Sequence, residues 1–325
     1  MKRRVAVWAA FGGWAAAGSL RAREQGAPRI VFIWPGSPSG EAVRSDAFKQ
    51  GLRDVGLVAG QHYLLFERYA DGQYERFAGI VAEELTLKPA IIVVNTIASV
   101  RAAQQATRSV PIIFVATNDP VGTGLVASYA RPGGNTTGLS SQNEDTVVKQ
   151  LQLLHEVLPR ANRLAVLVNP GNPSGLKLFE RLRGAGASLG MATTAIEVTS
   201  PQGLDAAFKA IARLRPDSLQ VMSDAMLFSE RERITAFGLR ERMPVTSTSA
   251  EVAHAGALFS YGATQIDLFR RAGGYVKRVL EGAPAGEMPV EQPTRFQLVI
   301  NLKTARAIGV TIPQSLLLRA DEVIE

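Results

Sequence analysis

A six-residue phrase that occurs twice constrains this 325-residue chain more than any other feature. Pro35-Gly36-Ser37-Pro38-Ser39-Gly40 follows the apolar run Ile30-Val31-Phe32-Ile33-Trp34. Pro170-Gly171-Asn172-Pro173-Ser174-Gly175 follows Leu164-Ala165-Val166-Leu167-Val168. A basic residue stands before each run, Arg29 and Arg163, and a helix-like segment follows each phrase. A short apolar strand, a Pro/Gly turn and a helix start form the opening unit of a parallel α/β sheet. Two such openings, about 135 residues apart, predict two similar lobes facing each other across a cleft.

The length allows two separate cores. With 46% hydrophobic and 20% charged residues, wholesale disorder has no support. Cysteine is absent, which removes thiol chemistry, thiolate metal sites and disulfides. The N-terminus reads as a secretory signal over residues 1–22. Met1-Lys2-Arg3-Arg4 is basic, and residues 5–20 are uncharged and rich in Ala and Gly, a stretch short for a membrane span. Cleavage after Ala17 or after Ala22 fits the pattern, and an uncleaved anchor is the rival. The signal predicts export from the cytoplasm; Arg3-Arg4 is a bare hint of the twin-arginine route. The net charge of +7 suggests nucleic acid only until this signal is discounted. Lys2, Arg3, Arg4 and Arg21 leave with it, taking +7 to +3. The remaining basic residues interleave with acids, as in Arg231-Glu232-Arg233, so no nucleic-acid partner is expected.

Strand and helix patterns alternate along both halves. The first half predicts strands at 30–34, 63–68, 90–94 and 111–115. Its helices fall at 41–55, 73–85 and 99–108, with a short one at 122–129. The second half predicts helices at 147–158, 175–189, 201–213 and 229–242, between strands at 164–168, 193–198, 218–222 and 244–246. A tail then holds a helix at 264–281, a Pro-rich stretch, a strand at 296–301 and a helix at 303–308. Such a tail implies that the chain crosses back, with linking segments near 137–140, 258–261 and 290–297. The fold class is therefore α/β, with two similar Rossmann-like lobes, each a parallel sheet flanked by helices, joined by three hinge crossings. The lobes are expected over 28–138 plus 260–292, and over 139–259 plus 293–325.

Ligands of open parallel sheets lie beyond the carboxyl ends of the strands. The loops there carry Ser37, Asn95, Thr96, Thr117, Asn118, Asn172, Ser223, Asp224 and Thr246. They offer hydroxyls, amides and an acid, with hardly a strong nucleophile or base, which suits a small polar molecule. Ser37, Asn95, Thr96, Thr117 and Asn118 suit a carboxylate, and Asp224 an ammonium with Asn172 and Thr246 assisting. The plainer alternative is that such residues only cap helices, and that Asp119 before Pro120 serves a turn. Trp34 either stacks on a ligand at the cleft mouth or joins a core; Tyr261 leans in from a hinge. His62, His155 and His254 have no metal-ligand spacing. There is no G-x-S-x-G elbow and no Walker A phrase. The motifs give an enzymatic reading little support, with catalysis by carboxylates alone left open, and no metal site is expected. Two rival classes are a ligand sensor of the same bilobed fold, which would need DNA-binding helices, and an exported α/β hydrolase, which would turn its ligand over.

Several phrases extend the pattern: Asp119-Pro120-Val121-Gly122, Arg131-Pro132-Gly133-Gly134-Asn135, Ser260-Tyr261-Gly262, Pro289-Val290-Glu291-Gln292-Pro293-Thr294 and Leu298-Val299-Ile300-Asn301-Leu302-Lys303-Thr304-Ala305. With Arg319-Ala320-Asp321-Glu322-Val323-Ile324, they make the chain resemble the periplasmic substrate-binding components of ABC transporters, in the group that includes the tryptophan-binding proteins. The resemblance covers nearly everything after Pro28. It implies a type I periplasmic-binding-protein fold that closes on a small solute such as an amino acid in the periplasm and delivers it to an inner-membrane permease, with no catalysis and no cofactor; a monomer suits such a shuttle. The chain departs from the group at Asn95-Thr96-Ile97, where Gly-Thr-Pro is usual, and at Trp34, where a smaller residue is usual.

Overall fold

The computed structural model describes residues 26–325; the signal expected over 1–22 lies outside them. No helix among the described residues is long and apolar enough to cross a membrane. The first sheet comprises β1 (Arg29–Trp34), β2 (Leu64–Tyr69), β3 (Ile91–Val94), β4 (Ile112–Thr117) and β5 (Thr136–Ser140), in the order β2-β1-β3-β4-β5. All its pairings are parallel. Helices α1 (Pro38–Asp54), α2 (Phe77–Thr86) and α3 (Ile97–Ala106) make the crossovers.

The second half repeats that plan. It begins with α4 (Asn143–Val157) and β6 (Arg163–Val168), then α5 (Pro173–Ser188), β7 (Ala192–Glu197), α6 (Leu204–Leu214) and β8 (Ser218–Val221). Next come α7 (Ala225–Ser229), α8 (Arg231–Arg240), β9 (Val245–Ser247), α9 (Ala250–His254) and β10 (Phe259–Ala263). The sheet runs β7-β6-β8-β9-β10, the first lobe's order again, and adds β11 (Phe296–Asn301) and β12 (Glu322–Ile324) at its edge. The opening pairs match in detail, since β1 meets β2 from Arg29↔Leu64 to Trp34↔Tyr69, and β6 meets β7 from Arg163↔Ala192 to Val168↔Glu197. Among the described residues only β10 and β11 pair antiparallel. Both faces of each sheet are covered, giving two apolar clusters per lobe, as parallel strands require.

The twin phrases explain their own helices. Ser37 caps α1, its hydroxyl accepting from Gly40 N at 3.2 Å, and Asn172 caps α5, accepting from Ser174 N at 3.1 Å. Each cap is followed by a proline at the first helical position, where its missing N–H has no helix partner anyway. The chain crosses between lobes after β5. It crosses again after β10, because α10 (Gln265–Leu280) lies on α1 in the first lobe. The sequence-based limit at residue 260 thus falls inside a strand of the second sheet. Glu291 N then donates to Gly138 O at 3.1 Å beside β5 before the chain returns to β11. At the second crossing only glycine fits: a Cβ on Gly262 would lie 2.0 Å from the Thr248 carbonyl oxygen.

Three expectations need correction. Residues 122–129 form no helix but consecutive turns, tied by Asp119 Oδ1 accepting from Gly122 N at 2.8 Å and by Leu125 N donating to Pro120 O at 2.9 Å. The helix expected over 229–242 begins only after Glu230, which leaves helical geometry (ψ 12°) and separates it from α7. Residues 73–85 start with a 3-10 turn before α2. After α11 (Leu302–Ile308) and α12 (Gln314–Leu317), β12 adds a strand of three residues, too short for a periodic signal.

Candidate functional site

The two sheets present their carboxyl ends to each other, and a cavity of about 60 Å3 lies between them. One water needs roughly 10–15 Å3, so the space holds a few waters. From the first lobe it is lined by the loop after β3 (Asn95, Thr96), the end of β4 (Thr117, Asn118), Arg44, Tyr74 and Phe269. The second lobe supplies Asn172, Ser223, Asp224, Phe228, Thr248 and apolar Val221 and Met222.

Four polar atoms at this wall are buried without a protein partner: Arg44 Nε, Asn95 Oδ1, Thr117 Oγ1 and Thr248 Oγ1. Groups of that kind cost free energy unless water or a ligand completes them. Thr96 caps α3 in a reciprocal box, its Oγ1 accepting from Ser99 N and Ser99 Oγ from Thr96 N, both at 3.1 Å. The N–H groups of Ile97 and Ala98 are left outside that box, at the positive end of the helix.

Asp224 is the most connected residue of the cleft. It caps α7 by accepting from Met226 N (3.0 Å) and Leu227 N (3.1 Å), and it takes the Asn169 and Asn172 amides at 3.3 and 3.2 Å. The Tyr74 hydroxyl, from the other lobe, donates to Asp224 Oδ2 at 2.7 Å. Burial, then the Asp224 charge and hydrogen bond, push the Tyr74 hydroxyl well above its ordinary value, so it stays a donor. Two more contacts join the lobes. The Arg44 guanidinium lies 3.7 Å from the Phe228 ring centroid, and Lys177 Nζ donates to Gly122 O at 3.4 Å. The lobes are closed on each other.

Residues 37–324 match the family of ABC transporter substrate binding proteins. The chain belongs to that family. It is accordingly a binding protein and not an enzyme, and its fold is the bilobed one of type I periplasmic binding proteins. It is 24% identical over 263 residues to a tyrosine-binding protein of Clostridioides difficile, spanning 81% of this chain and 75% of that one. Among solved structures, a conserved domain protein from Vibrio cholerae superposes with a TM-score of 0.83 at 27% identity, over 91% of this chain and 99% of its own. An ABC domain from Streptococcus pneumonia in complex with L-Trp gives 0.84 at 22% identity, over 92% and 100%.

Of the residues read from strand ends, this substrate-binding protein brings Asn95, Thr96, Thr117, Asn118, Asn172, Ser223 and Asp224 to the cavity. Four lie elsewhere. Trp34 is fully buried in the first-lobe core, stacked on Phe32 at 3.6 Å, with Nε1 donating to Glu67 Oε1 at 3.0 Å. It shares its strand face with Ile30 and Phe32, which all point toward α1 and α10. Burial disfavours the Glu67 carboxylate, but hydrogen bonds from Lys49, Ser45 and Trp34 outweigh it and hold Glu67 below its ordinary value. Ser37 serves its helix as cap, outside the cavity wall. Thr246 sits mid-sheet, its hydroxyl donating to Gln220 Oε1 at 2.7 Å in a buried chain that continues through Gln150 to the Ser247 carbonyl. Tyr261 stays beside the hinge, stacked on Phe296 at 6.1 Å.

Strand-end reasoning missed Arg44, Tyr74, Phe228 and Phe269. A signal existed for Arg44: Glu41 and Arg44 interrupt the apolar face of α1 that also carries Ala47, Phe48, Gly51 and Leu52. Charged residues on such a face are rarely buried without a task. No local pattern marks Tyr74 or Phe228, because they reach the cavity only when the lobes meet.

Proposed function

We propose that this chain is the exported solute-binding component of an ABC import system. It captures an amino acid or a related small carboxylate between its lobes in the periplasm and delivers it, as a monomer, to a membrane permease. The observation that carries this reading is one cavity lined by both lobes, with unpartnered Asn95, Thr117 and Thr248 oxygens at its wall. Aromatic amino acids are the first candidates. The Clostridioides difficile relative is named for tyrosine and the Streptococcus structure contains L-Trp, and Phe228, Phe269, Ile97 and Met222 supply apolar wall here.

In this mechanism a solute bridging both lobes shifts the population toward the closed arrangement. Asn95, Thr96 and Thr117, with the first N–H groups of α3, hold the acceptor-rich end. Asp224 attracts the cationic end. The Asn169 and Asn172 amide contacts, at 3.3 and 3.2 Å, are longer than the Tyr74 contact at 2.7 Å, and an ammonium competes with these amides.

A thermal-shift and calorimetric panel of amino acids, aromatic acids and small peptides on the exported protein tests the reading. A true solute at 100 times its dissociation constant adds about 2.7 kcal/mol of stability. Silence across the whole panel would contradict solute capture.

A further inference from the structure

The geometry points to Arg44 as the residue that reads a carboxylate on the solute, a role that rests on the proposed solute capture and names its charged partner. Arg44 is 6% exposed and lines the cavity. It is the one cation, and Asp224 the one carboxylate, among the described residues of that wall. Its Nη1 donates to Glu41 Oε2 at 3.2 Å, while its Nε–H has no partner. Phe228 lies against the guanidinium, 3.7 Å from ring centroid to Cζ, and Phe269 is 5.8 Å away.

This arrangement answers what a buried guanidinium needs. An isolated buried charge is costly, and Glu41, wholly buried itself, offsets it while the cavity has no solute. Phe228 occupies one face of the plane, so new hydrogen bonds form at the edge, where a guanidinium binds carboxylates with two parallel N–H groups. The side chain is already desolvated and fixed, so a carboxylate meets a prepared donor. A zwitterion would then span from Arg44 on the first lobe to Asp224 on the second, tying closure to a solute that carries both charges.

Calorimetry with two acid and amide pairs, L-tyrosine against L-tyrosinamide and 3-phenylpropionate against 3-phenylpropionamide, tests the role on the full chain. The parent should prefer the acid of a pair at least tenfold. Arg44→Met, which keeps the stem against Phe228, should weaken acid binding by roughly 10- to 100-fold, as for hydrogen bonds to charged groups, and abolish the preference. Glu41→Gln, which frees the guanidinium, should tighten acid binding several-fold, an effect that a purely structural ion pair would not give. The double variant Glu41→Gln/Arg44→Met removes both buried charges and keeps the test valid if Arg44→Met fails to fold. Acid affinity unchanged in both variants lacking Arg44 overturns the role and leaves solute capture standing. Binding of 3-phenylpropionate that depends on Arg44, with no amino acid bound, supports Arg44 and removes the amino-acid reading. A parent that binds no acid overturns both.

Discussion

Glu144 stands in the first turn of α4, beside a crevice of about 240 Å3 at the edge of the cleft, shared with Asp119, Lys177 and Arg181. Burial pushes its carboxyl above the ordinary value; its own backbone N–H opposes this, Asp119 and Asp145 add to it, and Arg181 opposes it. The folded carboxyl therefore holds its proton more tightly than the unfolded one, so its ionisation costs stability. That cost is absent below the ordinary carboxylate range and complete once pH exceeds the raised folded value. Glu144→Gln should raise the melting temperature at pH 7 and raise it much less at pH 4; an equal change at both would show that ionisation is not the cause. At this scale the sequence was informative where a residue acts on its near neighbours. Thr96 and Asp224 are caps and also line the cavity, so reading them as helix starts led to the site. Trp34 and Thr246 misled because position at a strand end says nothing of which face a side chain takes. Trp34 shares the face of Ile30 and Phe32, which packs against α1 and α10, while Val31 and Ile33 fill the cluster on the other face.

Helix α10 lies across α1 at unusually short range, and the cause is a pair of glycines. A Cβ on Gly273 would fall 2.3 Å from the Gly51 carbonyl carbon, and one on Gly51 would fall 1.8 Å from the Arg270 oxygen. Both obstacles are backbone, so neither yields without the helices moving apart. Gly273→Ala should cost about 2–3 kcal/mol of stability in urea titrations, at the upper end of overpacking penalties. Gly274→Ala, one residue along and with nothing within 4 Å, should instead gain about 0.8–1 kcal/mol from helix propensity. A similar response at the two positions would refute the close-packed seam. The sequence displayed the elements whose signals are local, above all the twin strand-cap-proline openings of α1 and α5. It did not display this seam, since Gly51 and Gly273 acquire meaning only when a tail from the far end of the chain folds back on the first lobe. The turns at 122–129 escaped for a related reason: Asp119 and Pro120 hold them with bonds that compete with a helix.

At the scale of the molecule, two copies of one sheet order meet at their carboxyl edges and are tied by three passages of chain. That symmetry was visible because strand spacing repeats even where residue identity does not. Which residues would touch across the cleft was not visible, because Tyr74–Asp224 and Arg44–Phe228 are products of closure. The closed cavity, at about 60 Å3, admits a few waters, so any amino acid enters only when the lobes part. The crossings beside Ser140, Ala263 and Glu291 are the places where backbone rotation can part them without disturbing either core. Small-angle scattering on the protein, first free and then saturated with a solute established by calorimetry, tests this most directly. Closure on the solute requires a smaller radius of gyration in the bound state, with both lobes unchanged in secondary structure. Superimposable curves with and without a proven solute would contradict it.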